Sequence, residues 1–267
     1  MGEKAVKSSQ AKPNNSMAIG LSLVKEGKAQ AFVTAGNTGA AMFNSLRKLG
    51  RIKGVARPAL TTLFPTRKGH CIVLDIGANA DCRPEYLQQF AIMGSVYAEK
   101  MRGIKNPRVG LLNNGEEAGK GNELMRSTFP LLSDCGINFI GNVEAKDVFA
   151  EKADVVVTDG FTGNMLLKSS EASAKMLTDL LKDGLMSSFS GKIAGLLAKP
   201  VFKMLKTKMD PNEIGAAPLL GIDGLSFVGH GRSNSTALIN GMTLAKTAAD
   251  MDLISLIREA LQTKLSE

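Results

Sequence analysis

The chain has 267 residues, 44% apolar and 22% charged, which is the balance of a globular protein and excludes a disordered, collagen-like or low-complexity chain. No run approaches the roughly 18 consecutive apolar residues of a membrane span, and three scattered cysteines (Cys71, Cys82, Cys135) suit neither a disulfide framework nor a zinc site. The formal charge of +8 suits an anionic partner: nucleic acid, a membrane surface, or an acidic protein or phosphorylated substrate. Nucleic acid is set aside because zinc-finger spacing, an aromatic RNP-like run and a helix-turn-helix pattern are all missing. The cysteine usage and the polar N-terminus, which has no apolar signal core, lead to the expectation of a cytoplasmic protein.

Residues 1–15 read as a solvated segment. Ser16 is read as the cap of a first helix with apolar residues at 17, 21 and 24, stopped by Gly27. The run AQAFVTA (29–35) reads as a buried strand leading into a glycine turn and a helix over 40–49. Strands are expected at 59–64 and 71–76, and Pro84 opens a helix that Gly103 closes. Further strands at 109–112, 137–140 and 154–158 alternate with a helix over 122–133, which contains Pro130, and another from the 159–164 turn to about Lys182. This recurrence of strand, glycine-rich turn and helix predicts a mostly parallel sheet covered on both faces, in a single domain over 1–267.

Residues 184–209 differ, with five lysines (192, 199, 203, 206, 208) and no acid. Ile193, Leu196, Leu197, Val201, Met204 and Leu205 follow helical spacing, so the segment reads as an inserted amphipathic helical stretch that Pro200 can split. Such a stripe suits a membrane interface as well as a core or dimer contact. A short strand at 225–228, the loop GHGRS (229–233) and helices to Leu265 complete the chain.

Ligands bind beyond the carboxyl ends of strands in open parallel sheets. Five turns are expected there: AGNTGA (35–40), DIGANAD (75–81), NNGEEAGKGNE (113–123), DGFTGN (159–164) and GHGRS. Each can aim backbone N–H groups at an anion, and together they predict a ligand cleft. None matches the dinucleotide fingerprint or the P-loop, so neither a nicotinamide cofactor nor a nucleotide is expected, and no cofactor of any kind is assigned. His70 and His230 are far apart, and no metal site is expected; turn formation accounts for the carboxylates of Asp75, Asp81, Glu116 and Asp159. His230 stands equally as an acid–base group or a plain loop histidine, and Lys120 as a phosphate ligand or a solvated lysine.

AGNTGA, GRIKGVARPAL (50–60), DIGANADCRPEYLQQFAIMGSVYAEK (75–100), NPRVGLLNNGEEAGKGNEL (106–124), INFIGNVEAKDVF (137–149), ADVVVTDGFTGNMLLKSSE (153–171) and APLLGIDG (217–224) resemble one family closely. They are similar to the bacterial acyl-carrier-protein:phosphate acyltransferases of phospholipid synthesis (the PlsX family), in order from about Ser16 to His230. The family's opening Asp-Ala-Met-Gly-Gly-Asp motif is not present, and the chain reads as beginning inside the family pattern.

The resemblance implies a Rossmann-like three-layer α/β/α sandwich and the formation of acyl phosphate from an acyl carrier protein thioester and inorganic phosphate. It also implies a homodimer, peripheral association with the inner face of an anionic membrane, and a membrane glycerol-phosphate acyltransferase as the next enzyme. On this reading Asn37, Thr38, Gly39, Asp75, Gly77, Asn79, Lys120 and Asn122 bind phosphate and the thioester carbonyl, with Asp75 and Lys120 as catalytic groups. Asp159, Gly163 and Asn164 support them, and His230 protonates the leaving thiol. Two alternatives stay open: a phosphotransacetylase-like enzyme acting on coenzyme A thioesters, and an inactive chain that retains dimer or membrane binding.

Overall fold

The structure, a computed structural model, describes residues 14–265, so the solvated segment expected at 1–15 lies outside the described residues but for Asn14 and Asn15. One sheet holds β1 (Ala31–Thr34), β2 (Ala59–Pro65), β3 (His70–Leu74), β4 (Val109–Leu112), β5 (Phe139–Val143), β6 (Val155–Val157), β7 (Ala216–Leu220) and β8 (Leu225–Gly229). Their order is β1-β8-β7-β2-β3-β6-β4-β5. On one face lie α1 (Ser16–Lys25), α2 (Thr38–Lys48), α5 (Ala145–Phe149) and α6 (Gly160–Met186). On the other lie α3 (Pro84–Arg102), α4 (Glu123–Asp134), α10 (Ser235–Asp250) and α11 (Leu253–Leu265). The three layers are those expected. Val155, Val156 and Val157 of β6 are each 0% exposed, the pattern of a strand covered on both faces. The first helix is capped by Asn15, not Ser16: the Asn15 Oδ1 accepts the N–H of Ala18 at 3.0 Å.

Strand direction departs from the simple reading. β1–β8, β3–β6, β6–β4 and β4–β5 are parallel pairs, while β8–β7, β7–β2 and β2–β3 are antiparallel. β1 and β8 therefore run opposite to β3, β6, β4 and β5, and the carboxyl ends of the two groups lie on opposite edges of the sheet. Loops 35–40 and 229–233 meet at one edge; loops 75–81, 113–123 and 159–164 meet at the other. The expectation of one shared address fails because the antiparallel strands β2 and β7 sit between the groups. β7 itself escapes sequence reading because Pro218 argues against a central strand.

β2 joins β3, and β7 joins β8, through short hairpins that bring no crossover helix with them. On the α2/α6 face this leaves a groove over β2 and β7. Beyond the sheet, α6 continues to Met186, and α7 (Phe189–Leu197) and α8 (Lys199–Met209) carry the chain back through α9 (Pro211–Ile214) to β7. The break after Leu197 falls at Pro200, in the first turn of α8, as its fixed φ and missing N–H require. At the tip, α7 turns back on the end of α6: a Cβ on Gly191 would stand 2.5 Å from the Leu185 carbonyl oxygen, so only glycine admits the contact.

Candidate active site

A cavity of about 450 Å³ lies in the groove. Its floor is β2 (Leu60, Thr62, Phe64) with Ala217 of β7 and Val228 of β8, and α6 forms one wall through Asn164, Leu167, Lys168, Glu171 and Ala174. It runs along β2 from one sheet edge to the other and so reaches polar groups at both. Gly77 and Asn164 line it at the β3 edge; Thr38, Gly229, His230 and Gly231 line it at the β8 edge.

At the β3 edge the organiser is Asp75, which is 0% exposed. Its Oδ1 accepts the N–H groups of Leu60 (3.0 Å), Gly77 (3.1 Å) and Ala78 (2.9 Å). Its Oδ2 accepts the Asn79 N–H (2.6 Å) and Asn79 Nδ2 (2.9 Å). Burial pushes the carboxyl above its usual range, and these donors pull it back toward the charged form. Asn79 is spent on the same knot, since its Nδ2 also donates to the Pro58 carbonyl at 2.7 Å. The start of α6 presses on this loop so closely that a Cβ on Gly163 would sit 1.9 Å from the Asp75 carbonyl oxygen. Asp159 caps α6, accepting Thr162 N–H at 2.8 Å and Thr162 Oγ1 at 2.7 Å. Asp75, Asn79, Asp159 and Gly163 therefore shape the loop that presents Gly77 and Asn164, and do not line the cavity themselves. Five N–H donors occupy the Asp75 carboxylate, an arrangement that suits a residue holding the loop in place.

At the β8 edge Asn37 caps α2 by accepting the Ala40 N–H at 3.0 Å, which leaves Thr38 as the residue of its turn on the cavity; Gly39 lies just behind. The His230 Nδ1 accepts the Arg232 N–H at 3.1 Å. That bond assigns the proton to Nε2 and leaves Nε2 as the nitrogen available to a substrate.

Lys120 and Asn122 are not brought to the cavity. They follow β4, which β6 separates from β3, a lateral offset of about 10 Å at the usual strand spacing. Lys120 is exposed, and Asn122 caps α4 through the Met125 N–H at 3.0 Å. What sequence reading missed is the α6 wall. Leu167, Lys168, Glu171 and Ala174 stand three, four, seven and ten residues beyond Asn164, and that helical spacing was the available signal. Lys168 and Glu171 pair at 2.8 Å.

Cys82 lies near the Asp75 loop, its Sγ donating to the Asn79 carbonyl at 3.7 Å. Burial first, then the Asp75 charge, pushes its thiol up to about 12, so it is protonated at neutral pH and unsuited to nucleophilic attack. Among the described residues no cluster of three or more His, Cys, Asp or Glu side chains is placed to hold a metal ion.

Residues 1–256 match the family model described as fatty acid synthesis protein. A phosphate acyltransferase of Elusimicrobium minutum is 48% identical over 259 residues, covering 97% of this chain and 76% of that protein. One from Halothermothrix orenii is 46% identical over 263 residues, covering 98% and 79%. Among solved structures, the EutD phosphotransacetylase from Staphylococcus aureus superposes with a TM-score of 0.56 at 16% identity, covering 92% of this chain and 70% of that one, a likeness of fold alone. With the family model spanning nearly the whole chain and nearly half of all positions identical to such relatives, the chain belongs to the fatty acid synthesis protein family, that of the phosphate acyltransferases.

Proposed function

We propose that this protein moves an acyl group from the thioester of an acyl carrier protein to inorganic phosphate, releasing acyl phosphate and the free carrier thiol. The observation that carries the reading is the cavity: one space with a mainly apolar floor, an α6 wall on which Leu167 and Ala174 flank the paired Lys168 and Glu171, and hydrogen-bonding groups at both ends. The apolar part suits a fatty acyl chain, and the glycine turns suit phosphate and carbonyl oxygens. A phosphate oxygen attacks the thioester carbon, the carbon–sulfur bond breaks, and the proton that phosphate loses ends on the sulfur. Because phosphate is itself the nucleophile, no covalent enzyme intermediate is needed. The protein's part is orientation of the two substrates and stabilisation of developing charge, with the Asn164 side chain as donor at the β3 edge and Thr38 and the Nε2 proton of His230 at the β8 edge.

The test is a donor comparison. Purified protein with phosphate should turn over an acyl carrier protein thioester faster than the same acyl group on coenzyme A, with strict dependence on phosphate. Equal or better use of coenzyme A would favour the phosphotransacetylase-like alternative, and no turnover of either would favour a chain that only binds. In the same reading the α6–α8 excursion, with Ile193, Leu196, Leu197, Val201, Met204 and Leu205 exposed, suits contact with an anionic membrane surface where the product is consumed, and a second copy is the competing cover for that face.

A further inference from the structure

One long stretch of the chain carries basic residues and no acid. Between Glu26 and Asp75 there is no acid, yet residues 27–74 hold eight of the 33 lysines and arginines; the remaining 25 exactly balance the 25 acids elsewhere. Within that stretch, Arg47, Lys48, Arg51, Lys53 and Arg57 fall in eleven residues. The fold keeps them together. Arg47 and Lys48 end α2, and the loop that follows packs along the edge where β2 begins and β7 ends: the Ile52 N–H donates to the Gly221 carbonyl at 3.0 Å, and the Asp223 N–H to the Gly50 carbonyl at 3.1 Å.

None of the five cations has an acid within ion-pair distance among the described residues. Of the acids on the adjoining elements, Glu26 pairs with Lys28 at 2.8 Å while Lys48 also favours its charge, and Asp223 pairs with Arg258 at 2.7 Å. Asp81, in the loop after Asn79, and Glu85, in the first turn of α3, are exposed acids outside any ion pair among the described residues. Arg47, Arg51, Lys53 and Arg57 are exposed. A basic patch left unpaired in the folded protein is available to a partner's negative charge.

Its position says which partner. Arg57 leads through Pro58, whose carbonyl is held by Asn79, into Leu60, which lines the cavity beside the Gly77–Asn164 end. The apolar arm leaves from the opposite edge, so a flat bilayer that receives the arm does not reach the patch. We propose that this patch docks the acidic face of the acyl carrier protein, which then delivers its thioester to the Gly77–Asn164 end of the cavity. The proposal rests on the acyl-transfer reading above.

The experiment measures kinetics of Lys53→Glu/Arg57→Glu, and of the milder Lys53→Gln/Arg57→Gln, with one acyl group on the carrier protein and on pantetheine. A control, Lys105→Glu, makes a charge change in an exposed residue after α3. Expected is a fall in kcat/KM of roughly ten- to a hundredfold with the carrier thioester, carried by KM and flattened by salt, with pantetheine turnover and the control unchanged. An unchanged KM for the carrier thioester in both patch variants overturns the proposal. So does an equal loss with pantetheine, or a loss of binding to anionic vesicles with carrier kinetics intact. A wild-type protein that uses neither donor overturns the acyl-transfer reading itself.

Discussion

With both oxygens of the buried Asp75 carboxylate accepting N–H bonds, an asparagine in its place turns an NH2 toward donors that need an acceptor. Asp75→Asn is expected to cost roughly 3 kcal/mol, the scale for breaking a buried charged network, and to lower turnover because Gly77 shifts. Urea unfolding read beside turnover decides the matter: a variant as stable as wild type yet inactive would make Asp75 a group that acts on substrate. The same physics governs the polar residues that sequence reading places at the site. Asn37, Asn122 and Asp159 stand next to glycines after strands, where a ligand-binding residue would stand, and each accepts the N–H three residues on as a helix cap. Composition and spacing are the same for a cap and for a ligand contact, and the difference lies in which atom the side chain finds. His230 also accepts a local N–H, that of Arg232, but its second ring nitrogen remains for the cavity that it lines with Asn164.

Among elements, β4 and β6 are clamped at their starts by Arg108 and Asp154. The Arg108 Nε donates to Asp154 Oδ2 at 3.0 Å, its terminal nitrogen to Oδ1 at 2.9 Å, and its main-chain N–H to Oδ2 at 2.8 Å. Burial works against the Asp154 charge, but these bonds outweigh it and hold the carboxyl below its usual range. Because the folded carboxyl binds its proton less readily than the unfolded one, the clamp's contribution is whole above a pH of about 4 and is lost as pH falls through the folded value. Asp154→Asn is therefore expected to lower stability by about 1 kcal/mol at neutral pH, a figure kept small because Arg108 is partly solvated, and to make stability fall less steeply under acid. Urea midpoints at neutral pH and at about pH 3 check this; parallel losses in both proteins would show the clamp to be inert. The strand that carries this clamp was legible as a valine run, as were most of the other strands and helices, since apolar periodicity is local. Strand direction was not legible, because whether two strands pair parallel or antiparallel depends on partners distant in the chain, as β2 and β7 show.

For the molecule as a whole, the excursion of α6, α7 and α8 is the part whose packing is incomplete. Phe189 is 81% exposed, Leu196 70% and Leu197 76%, while Lys192, Lys199 and Lys203 are exposed on the same two short helices. Such a surface in water is unfavourable, and the two covers that suit it are a bilayer interface and another copy of the chain. No helix among the described residues is long and apolar enough to cross a membrane, so the membrane reading is one of helices lying in the interface. Burying each leucine there contributes roughly 1.5–3 kcal/mol, and each lysine near an anionic surface about 1 kcal/mol. Replacing Leu196 and Leu197 by glutamate removes the first contribution and reverses the second locally, so binding to anionic vesicles should fall by more than about a hundredfold on these magnitudes. Neither leucine is buried against the sheet, so the fold and the turnover of a water-soluble donor should persist. Sedimentation with vesicles, size-exclusion chromatography and thermal melting separate the outcomes. Loss of vesicle binding alone supports the lipid contact, loss of the oligomer assigns the face to a second copy, and unchanged sedimentation shows that the leucines meet neither lipid head groups nor acyl chains.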